Sequence, residues 1–360
     1  MNFDLSDEQK MLAEQAKALL AERTPFDHLR NLIDDGALWD EVLWRELGAM
    51  GFLGANIPEA YGGLGLSAVD LGMISQELGR ANAGVPFFSS IALAADAIQL
   101  AGSEAQKARW LPELATGKTV GCFASAEGPG PIFGATVRCD GDTIRGTKAP
   151  VADAGTASIA VVQCGAAMAI VELDQPGVIR TKLKSFDELR PHYRIDFNRA
   201  VADQMPGIDM LEILLDRAAV QASFEAVGGA EACLDMGKAY TMERMMFGRP
   251  LASYQAIKHK LADLAVQVEL ARSSAFYAGW AVDEAPGELP AAASAARLMA
   301  ISAFEMGARE NLQVHGGIGY TFEANCHFYY RRERMLAVHL GNRDHWANRL
   351  IAHHPLRQAA

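Results

Sequence analysis

Cysteine is scarce in this chain and poorly spaced for chemistry. Five are scattered over 360 residues, at Cys122, Cys139, Cys164, Cys233 and Cys326, odd in number and without a CxxC pair. That excludes a secreted-type disulfide framework and a zinc knuckle, and points to a reduced, cytoplasmic protein. His315, His327, His339, His345, His353 and His354 gather late in the chain, yet no pair has HExxH spacing, so no metal site is expected. GxSxG is absent, which removes the presented serine of a hydrolase. YGGLGLS and AEGPGPIFG are glycine-rich but are not GxGxxG, and neither opens a helix after a strand, so a Rossmann reading fails. Positive charge is also short. The formal net charge of −11 argues against nucleic acid and against anionic membrane surfaces as partners. The cluster Arg331, Arg332, Arg334 is too small to reverse that and reads as a solvated or ion-paired helix face. No stretch approaches the length of a membrane span without charges. The start, MNFDLSDEQKMLAEQAKALLAER, carries acids throughout, where a signal peptide has a basic region and an apolar run.

What is present is apolar bulk. Half of the residues are hydrophobic, enough for a sizeable core and two or three domains. The pattern changes period twice. Residues 1–118 read as an N-terminal helical domain: Ser6 with Glu8 and Gln9 behind it resembles a helix start, and Leu71, Ile74 and Leu78 recur at helical steps. PEAYGGLG reads as a loop. Residues 119–207 shorten to a period of two in TVGCFAS, SIAVVQC, MAIVEL and YRIDFN, and Asp140-Gly141-Asp142 sits at a hairpin turn. This predicts a small antiparallel β domain or barrel. Residues 208–360 return to helix. Ile257, Leu261, Leu264, Val268, Ala271, Ala275, Ala278 and Val282 alternate steps of four and three, the seam of a left-handed bundle. DEAPGELP breaks that helix, and a further one runs over 291–314. The fold class is mainly α with a central antiparallel β domain.

Two segments carry candidate chemistry, ERMMFGRPLASYQAIKHKLAD (243–263) and NLQVHGGIGYTFE (311–323). Arg244, Gln255 and the backbone at Gly316-Gly317 would suit a pyrophosphate, because a guanidinium offers forked donors and glycine lets the backbone approach closely. The alternative is a helix-ending arginine, a loop Phe247 and an ordinary pair of C-cap glycines. Spacing alone leaves both open.

Both segments resemble the acyl-CoA dehydrogenases. R-x-x-F-G-R-P-L-x-x-x-Q-A-I (Arg244 to Ile257) and Q-V-H-G-G-I-G-Y (Gln313 to Tyr320) are the most specific motifs. LSDEQKMLAEQAKALL, GFLGANIPEAYGGLGLSAVDLGMISQELGR and KARWLPELATGKTVGCFA extend the resemblance nearly end to end. It implies a helical, β-barrel and four-helix-bundle architecture, FAD as cofactor, and oxidation of the Cα–Cβ bond of a CoA thioester with a glutamate as base. It further implies that Arg244, Phe247, Gln255, Gln313, Gly316 and Gly317 reach the FAD of a neighbouring subunit. The complementary half departs from the family. SAEGPGPIFG (125–134) stands for T-E-P-x-x-G-S-D, and in GTKAPVAD (146–153) Pro150 and Ala152 replace the aromatic and hydroxyl of W-I-T. His339-Leu340-Gly341-Asn342 aligns with Y-E-G-T, so Leu340 occupies the usual glutamate position. At the alternative base position stands Ala218, with Asp216 and Arg217 just upstream. Arg217 is a candidate contact for CoA or a partner carboxylate; an exposed Asp-Arg at a helix start is the other reading.

One half-site kept and its complement lost resembles the heteromeric α2β2 enzymes of steroid catabolism. The expectation is therefore a subunit, lending residues to FAD and lacking a base, that desaturates a bulky or steroid-derived acyl-CoA together with a second acyl-CoA dehydrogenase subunit. By resemblance the electron acceptor is electron-transferring flavoprotein. Two other readings stand: a homomeric enzyme with an atypical flavin pocket and Asp216 as base, and a non-catalytic scaffold or CoA-ester-binding subunit.

Overall fold

The computed structural model describes residues 5–130, 132–134 and 136–353. His354 and Pro131, named above, lie outside the described residues, as do both ends of the chain. Six helices come first: α1 (Asp7–Arg23), α2 (Phe26–Asp34), α3 (Glu41–Ala49), α4 (Ala68–Arg80), α5 (Asp96–Ala101) and α6 (Glu104–Ala115). A π-helical stretch, Phe88–Ala95, leads into α5. Eight strands follow, β1 (Gly121–Ala124), β2 (Arg138–Asp140), β3 (Thr143–Ala152), β4 (Ile159–Cys164), β5 (Ala167–Glu172), β6 (Val178–Lys182), β7 (His192–Val201) and β8 (Asp203–Gln204). The long helix α7 (Leu211–Glu243) precedes a two-stranded ribbon, β9 (Met245–Met246) and β10 (Arg249–Pro250). Helices α8 (Gln255–Glu284), α9 (Leu289–His315), α10 (Cys326–Val338) and α11 (Arg343–His353) complete the order. No described helix is long and apolar enough to cross a membrane.

Local chemistry explains several boundaries. Ser6 caps α1 through a reciprocal capping box, its hydroxyl accepting from the Gln9 amide and its own amide donating to the Gln9 side chain, each at 3.1 Å. Gly141, at φ 60°, turns β2 into β3, as the hairpin reading expects. PEAYGGLG holds only the single 3₁₀ turn Glu59–Tyr61. The seam of α8 is real: Leu264, Val268, Ala271, Ala275, Ala278 and Val282 are buried, while Ile257 and Leu261, in its first turns, are half-buried. The small alanines let α8 pack closely on α9.

The chain groups into two compact units. The first comprises residues 1–26, 72–83 and 219–360, and the second residues 27–71 and 84–218. In the first, α4 meets α7 through glycine. A Cβ on Gly228 would run into the Gln76 carbonyl oxygen, and one on Gly79 into that of Glu225. Ala230, Cys233, Leu264, Val268, Ala303, Phe304 and Leu336 form the centre of its core.

In the second unit the strands form two four-stranded sheets, ordered β1-β4-β5-β8 and β2-β3-β7-β6. The expected antiparallel domain has an exception among its named strands, β1 running parallel to β4 with Gly121 opposite Ile159, and an isolated parallel bridge joins Glu127 and Ala149. A hairpin pattern cannot reveal the β1–β4 pair, because β2 and β3 intervene in sequence and join the other sheet.

Candidate functional site

The two motifs meet at one end of the helices of the first unit. Helix α7 stops at Glu243. The chain then makes a tight ribbon, Met246 opposite Arg249, turning through Phe247 and Gly248 with φ values of 49° and 79°. Both values lie in the left-handed region, the signature of a type I′ hairpin turn, which glycine adopts without cost and phenylalanine does not. The turn leaves Phe247 92% exposed. Three contacts fix the ribbon. The Leu251 amide donates to the Arg244 carbonyl at 2.7 Å, the Tyr254 hydroxyl donates to the Met246 carbonyl at 2.9 Å, and the Arg249 guanidinium lies 4.0 Å from the Tyr254 ring centroid. Gln255 opens α8 immediately afterwards, exposed.

Gln313 lies in the last turn of α9, which ends at Gly316 with φ 65°. Its end is tied to that of α7 by the Tyr240–His315 ring stack, centroids 4.0 Å apart. Its tie to α8 is the ion pair of Lys260 with Glu310 at 2.5 Å. Gly237 of α7 adds to this junction: a Cβ there would touch Leu261 of α8 and Val314 of α9. The six residues Arg244, Phe247, Gln255, Gln313, Gly316 and Gly317 are all exposed. Among the described residues, the side chains of Arg244, Gln255 and Gln313 make no hydrogen bond or ion pair within the chain. A cation, two amides and open space over Gly316 and Gly317, where a Cβ would meet nothing within 4 Å, fit the phosphates and polar edge of a dinucleotide presented from outside the chain.

The segment expected to hold a flavin from within is differently occupied. Glu127 accepts from Lys148 Nζ at 2.8 Å, from the Thr136 amide at 2.8 Å and the Val137 amide at 3.0 Å, and from the Thr136 hydroxyl. Burial works to raise the Glu127 carboxyl, but these bonds outweigh it and hold it at about 2. Lys148 is fully buried and also donates to the Ser125 carbonyl at 2.8 Å. The backbone donors of Gly128 and Gly134 go to Ala149 and Ser125. From Ala126 to Gly134 the sequence has no hydroxyl side chain. As a flavin holder this loop is a poor fit, since it offers no hydroxyl and its Gly128 and Gly134 amides are spent within the chain.

Neither of the positions at which the resemblance would place a base holds an accessible carboxylate. Leu340 follows α10 in a left-handed conformation, φ 59°, and the nearby Arg297 guanidinium donates to the Leu336 and His339 carbonyls. Ala218 is fully buried in α7. Asp216 is 2% exposed, which corrects the reading of an exposed Asp-Arg at a helix start: the residue lies in the second turn, on the packed face. Arg217 is not free for a ligand as found. Its Nε and Nη2 donate to the two Asp96 oxygens, both at 2.7 Å, a bidentate pair with a buried carboxylate.

The basic cluster is ion-paired at Arg332 and Arg334, one of the two readings given for it, though Arg332 lies in the interior and not on an exposed face. Arg332 is buried against Glu225 at 3.1 Å, and Arg334 pairs with Glu333 and Glu305. Arg331 lies over the Phe322 ring. Sequence reasoning missed the Lys148–Glu127 pair as well; the only signal available was an uncompensated lysine inside an otherwise apolar alternation.

Comparison with known proteins agrees with this geometry. The description "Acyl-CoA dehydrogenase, N-terminal domain" matches residues 6–118, and "Acyl-CoA dehydrogenase, C-terminal domain" matches residues 207–353. The human mitochondrial short-chain specific acyl-CoA dehydrogenase is 30% identical, over 90% of this chain and 85% of its own. A variant of the Tcur3481-Tcur3483 steroid ACAD superposes with a TM-score of 0.90 at 28% identity, covering 98% of this chain and 99% of that one. The ChsE4-ChsE5 complex from Mycobacterium tuberculosis gives a TM-score of 0.88 at 26% identity, covering 97% and 98%.

Proposed function

Because the chain belongs to the acyl-CoA dehydrogenase family, FAD-dependent oxidoreductases acting on CH–CH bonds, we propose that it is the completing subunit of a heteromeric acyl-CoA dehydrogenase. In this reading a second subunit of the same family holds FAD and supplies the base. The present chain closes the site from across the interface. One observation carries it: Arg244, Gln255 and Gln313 stand exposed and unengaged within the chain, beside an outward-turned Phe247, while Leu340 and Ala218 occupy both base positions.

Arg244 would neutralise pyrophosphate charge, and Gln255 and Gln313 would donate to its polar edge. The Gly316-Gly317 backbone would lie against the nucleotide, and Phe247 would shield it from water. FAD, when bound, supplies the hydride acceptor for α,β-desaturation of the thioester. Electron-transferring flavoprotein is the proposed acceptor. For the acyl group we favour a bulky, ring-bearing one, since a shared site leaves more room and both solved structures cited above, one described as a steroid ACAD and one as a two-component complex, match over almost the whole chain. The short-chain relative at 30% identity makes a small acyl group the rival.

The test is FAD content. The chain expressed alone should retain essentially no flavin, and co-expression with a family member carrying intact T-E-P and W-I-T motifs should yield a flavin-loaded complex. Arg244→Ala in that complex should weaken flavin retention. Stoichiometric flavin on the isolated chain, with activity lost on Asp216→Asn, would sink the proposal in favour of a homomer. A fully active Arg244→Ala complex would instead make the chain a scaffold. Comparing ring-bearing with butyryl thioesters then decides the substrate class.

A further inference from the structure

Cys139 and Cys164 are 25 residues apart in sequence and belong to different sheets, yet their Sγ atoms are 2.8 Å apart. Cys139 is the middle residue of β2, and Cys164 ends β4 just before the Gly165 turn. Both are half-buried, unlike Cys122, Cys233 and Cys326, which are closed off in cores. A cavity of about 150 Å³ opens onto the pair, lined by Arg138, Cys139, Cys164, Ala167, Met168 and Gln204. The edges of the two sheets are already tied at this point, for the Gln204 amide of β8 donates to the Gly141 carbonyl in the β2–β3 turn.

We infer that Cys139 and Cys164 form an oxidisable dithiol that a small hydroperoxide converts to a disulfide joining the two sheets. Three features favour reaction here over the other cysteines. The two sulfurs lie within reach of one another, and the cavity beside them admits a molecule of peroxide size. The hydrogen bond between the two sulfurs lowers the Cys139 pKa, with burial opposing, so that Cys139 is the attacking sulfur of the pair. By contrast burial pushes the Cys122 and Cys233 thiols up, and the Cys326 thiol to about 11, so they stay protonated as well as enclosed.

The chemistry balances in two steps. Cys139 Sγ, as thiolate, attacks one peroxide oxygen; the O–O bond breaks, the other oxygen leaves as alcohol or water after taking a proton, and Cys139 becomes a sulfenic acid. Cys164 Sγ then attacks that sulfur, the S–O bond breaks, and hydroxide leaves as water with the proton from Cys164. Two thiols and one hydroperoxide give one disulfide, one alcohol or water and one further water; the sulfurs lose two electrons and the peroxide gains them. The sulfurs need only close from 2.8 Å to the roughly 2.05 Å of a disulfide.

The test uses the full chain, alone and in its complex, treated with hydrogen peroxide while folded, then unfolded in denaturant, blocked with N-ethylmaleimide and digested for mass spectrometry. The expected result is a single intramolecular Cys139–Cys164 peptide, two hydrogens lighter, with alkylatable thiols falling from five to three and recovering with dithiothreitol. In Cys164→Ser the sulfenic acid on Cys139 should persist and be trapped by dimedone. Cys139→Ser should trap nothing at Cys164. Circular dichroism confirms that each variant is folded before treatment. Even oxidation across all five cysteines, or thiols at 139 and 164 that survive peroxide in the folded chain, would overturn the inference.

Discussion

Tyr240, near the end of α7, stacks on His315, at the end of α9, with ring centroids 4.0 Å apart and planes tilted by 25°. It joins the ends of the two helices that carry the Arg244 ribbon and the Gly316-Gly317 turn. Stacked aromatic pairs contribute about 0.5–1.5 kcal/mol beyond their buried area, so Tyr240→Ala should destabilise the chain only modestly. Its larger effect should be on position. Flavin retention by the complex is expected to fall out of proportion to the loss in melting temperature, whereas Tyr240→Phe keeps the ring and should retain both. Equal behaviour of the two variants would remove the stack from the site.

Gly228 tests the α4–α7 crossing. A methyl group there meets the Gln76 carbonyl, which is backbone in a packed helix and cannot swing away. Overpacking of this kind costs about 1–3 kcal/mol, opposing the gain in helix propensity that alanine normally brings. Gly228→Ala should therefore lower the denaturant midpoint. An unchanged midpoint would mean that α4 and α7 separate at little cost.

The features that could be read from the sequence are those set by neighbours in the chain. The α8 seam, the Ser6 capping box, the Gly141 hairpin and the positions of Arg244 and Gly316 in their motifs depend on residues a few positions apart, so period and spacing reveal them. The features that escaped depend on distant partners. Asp96 lies 121 residues from Arg217 and Glu225 107 residues from Arg332, and no local pattern tells a buried paired arginine from a solvated one. The parallel β1–β4 pair and the Cys139–Cys164 approach were hidden for the same reason, since both join segments separated by other strands. The departure of residues 125–134 from the family pattern was legible in the sequence. That the Glu127 carboxylate is taken up by Lys148, Thr136 and Val137, and the Gly128 amide by the Ala149 carbonyl, was not.

The Arg332–Glu225 pair is a second target. Both side chains are nearly inaccessible, at 1% and 3%, and Arg332 also donates to the Ala83 carbonyl at 3.2 Å. Removing one partner strands a buried charge, which costs about 3–5 kcal/mol, whereas replacing both by apolar groups is far less damaging. Arg332→Met should lower stability steeply, and the double variant Arg332→Met with Glu225→Met should recover much of it. Additive losses in a thermodynamic cycle would show that the two side chains do not act as a pair.

Glu127 gives the chain a pH signature. Its carboxyl is held at about 2 against an ordinary value of 4.5, because the bonds from Lys148, Thr136 and Val137 outweigh the burial that would raise it. A carboxyl lowered on folding binds its proton more readily in the unfolded chain, so acid favours unfolding. Its contribution is complete above about 4.5 and is lost as pH falls from there towards about 2. Glu127→Gln cannot titrate, so the difference in stability between it and the wild type should be constant above pH 5 and shrink on acidification. Thr136→Val removes one hydroxyl donor and should shift that loss to higher pH without abolishing it. Thermal melts of the three proteins across the acid range make the comparison. A wild-type to Glu127→Gln difference that stays level down to pH 3 would mean that Glu127 keeps no folded-state advantage, and that the loop at Ala126–Gly134 is held by its backbone bonds alone.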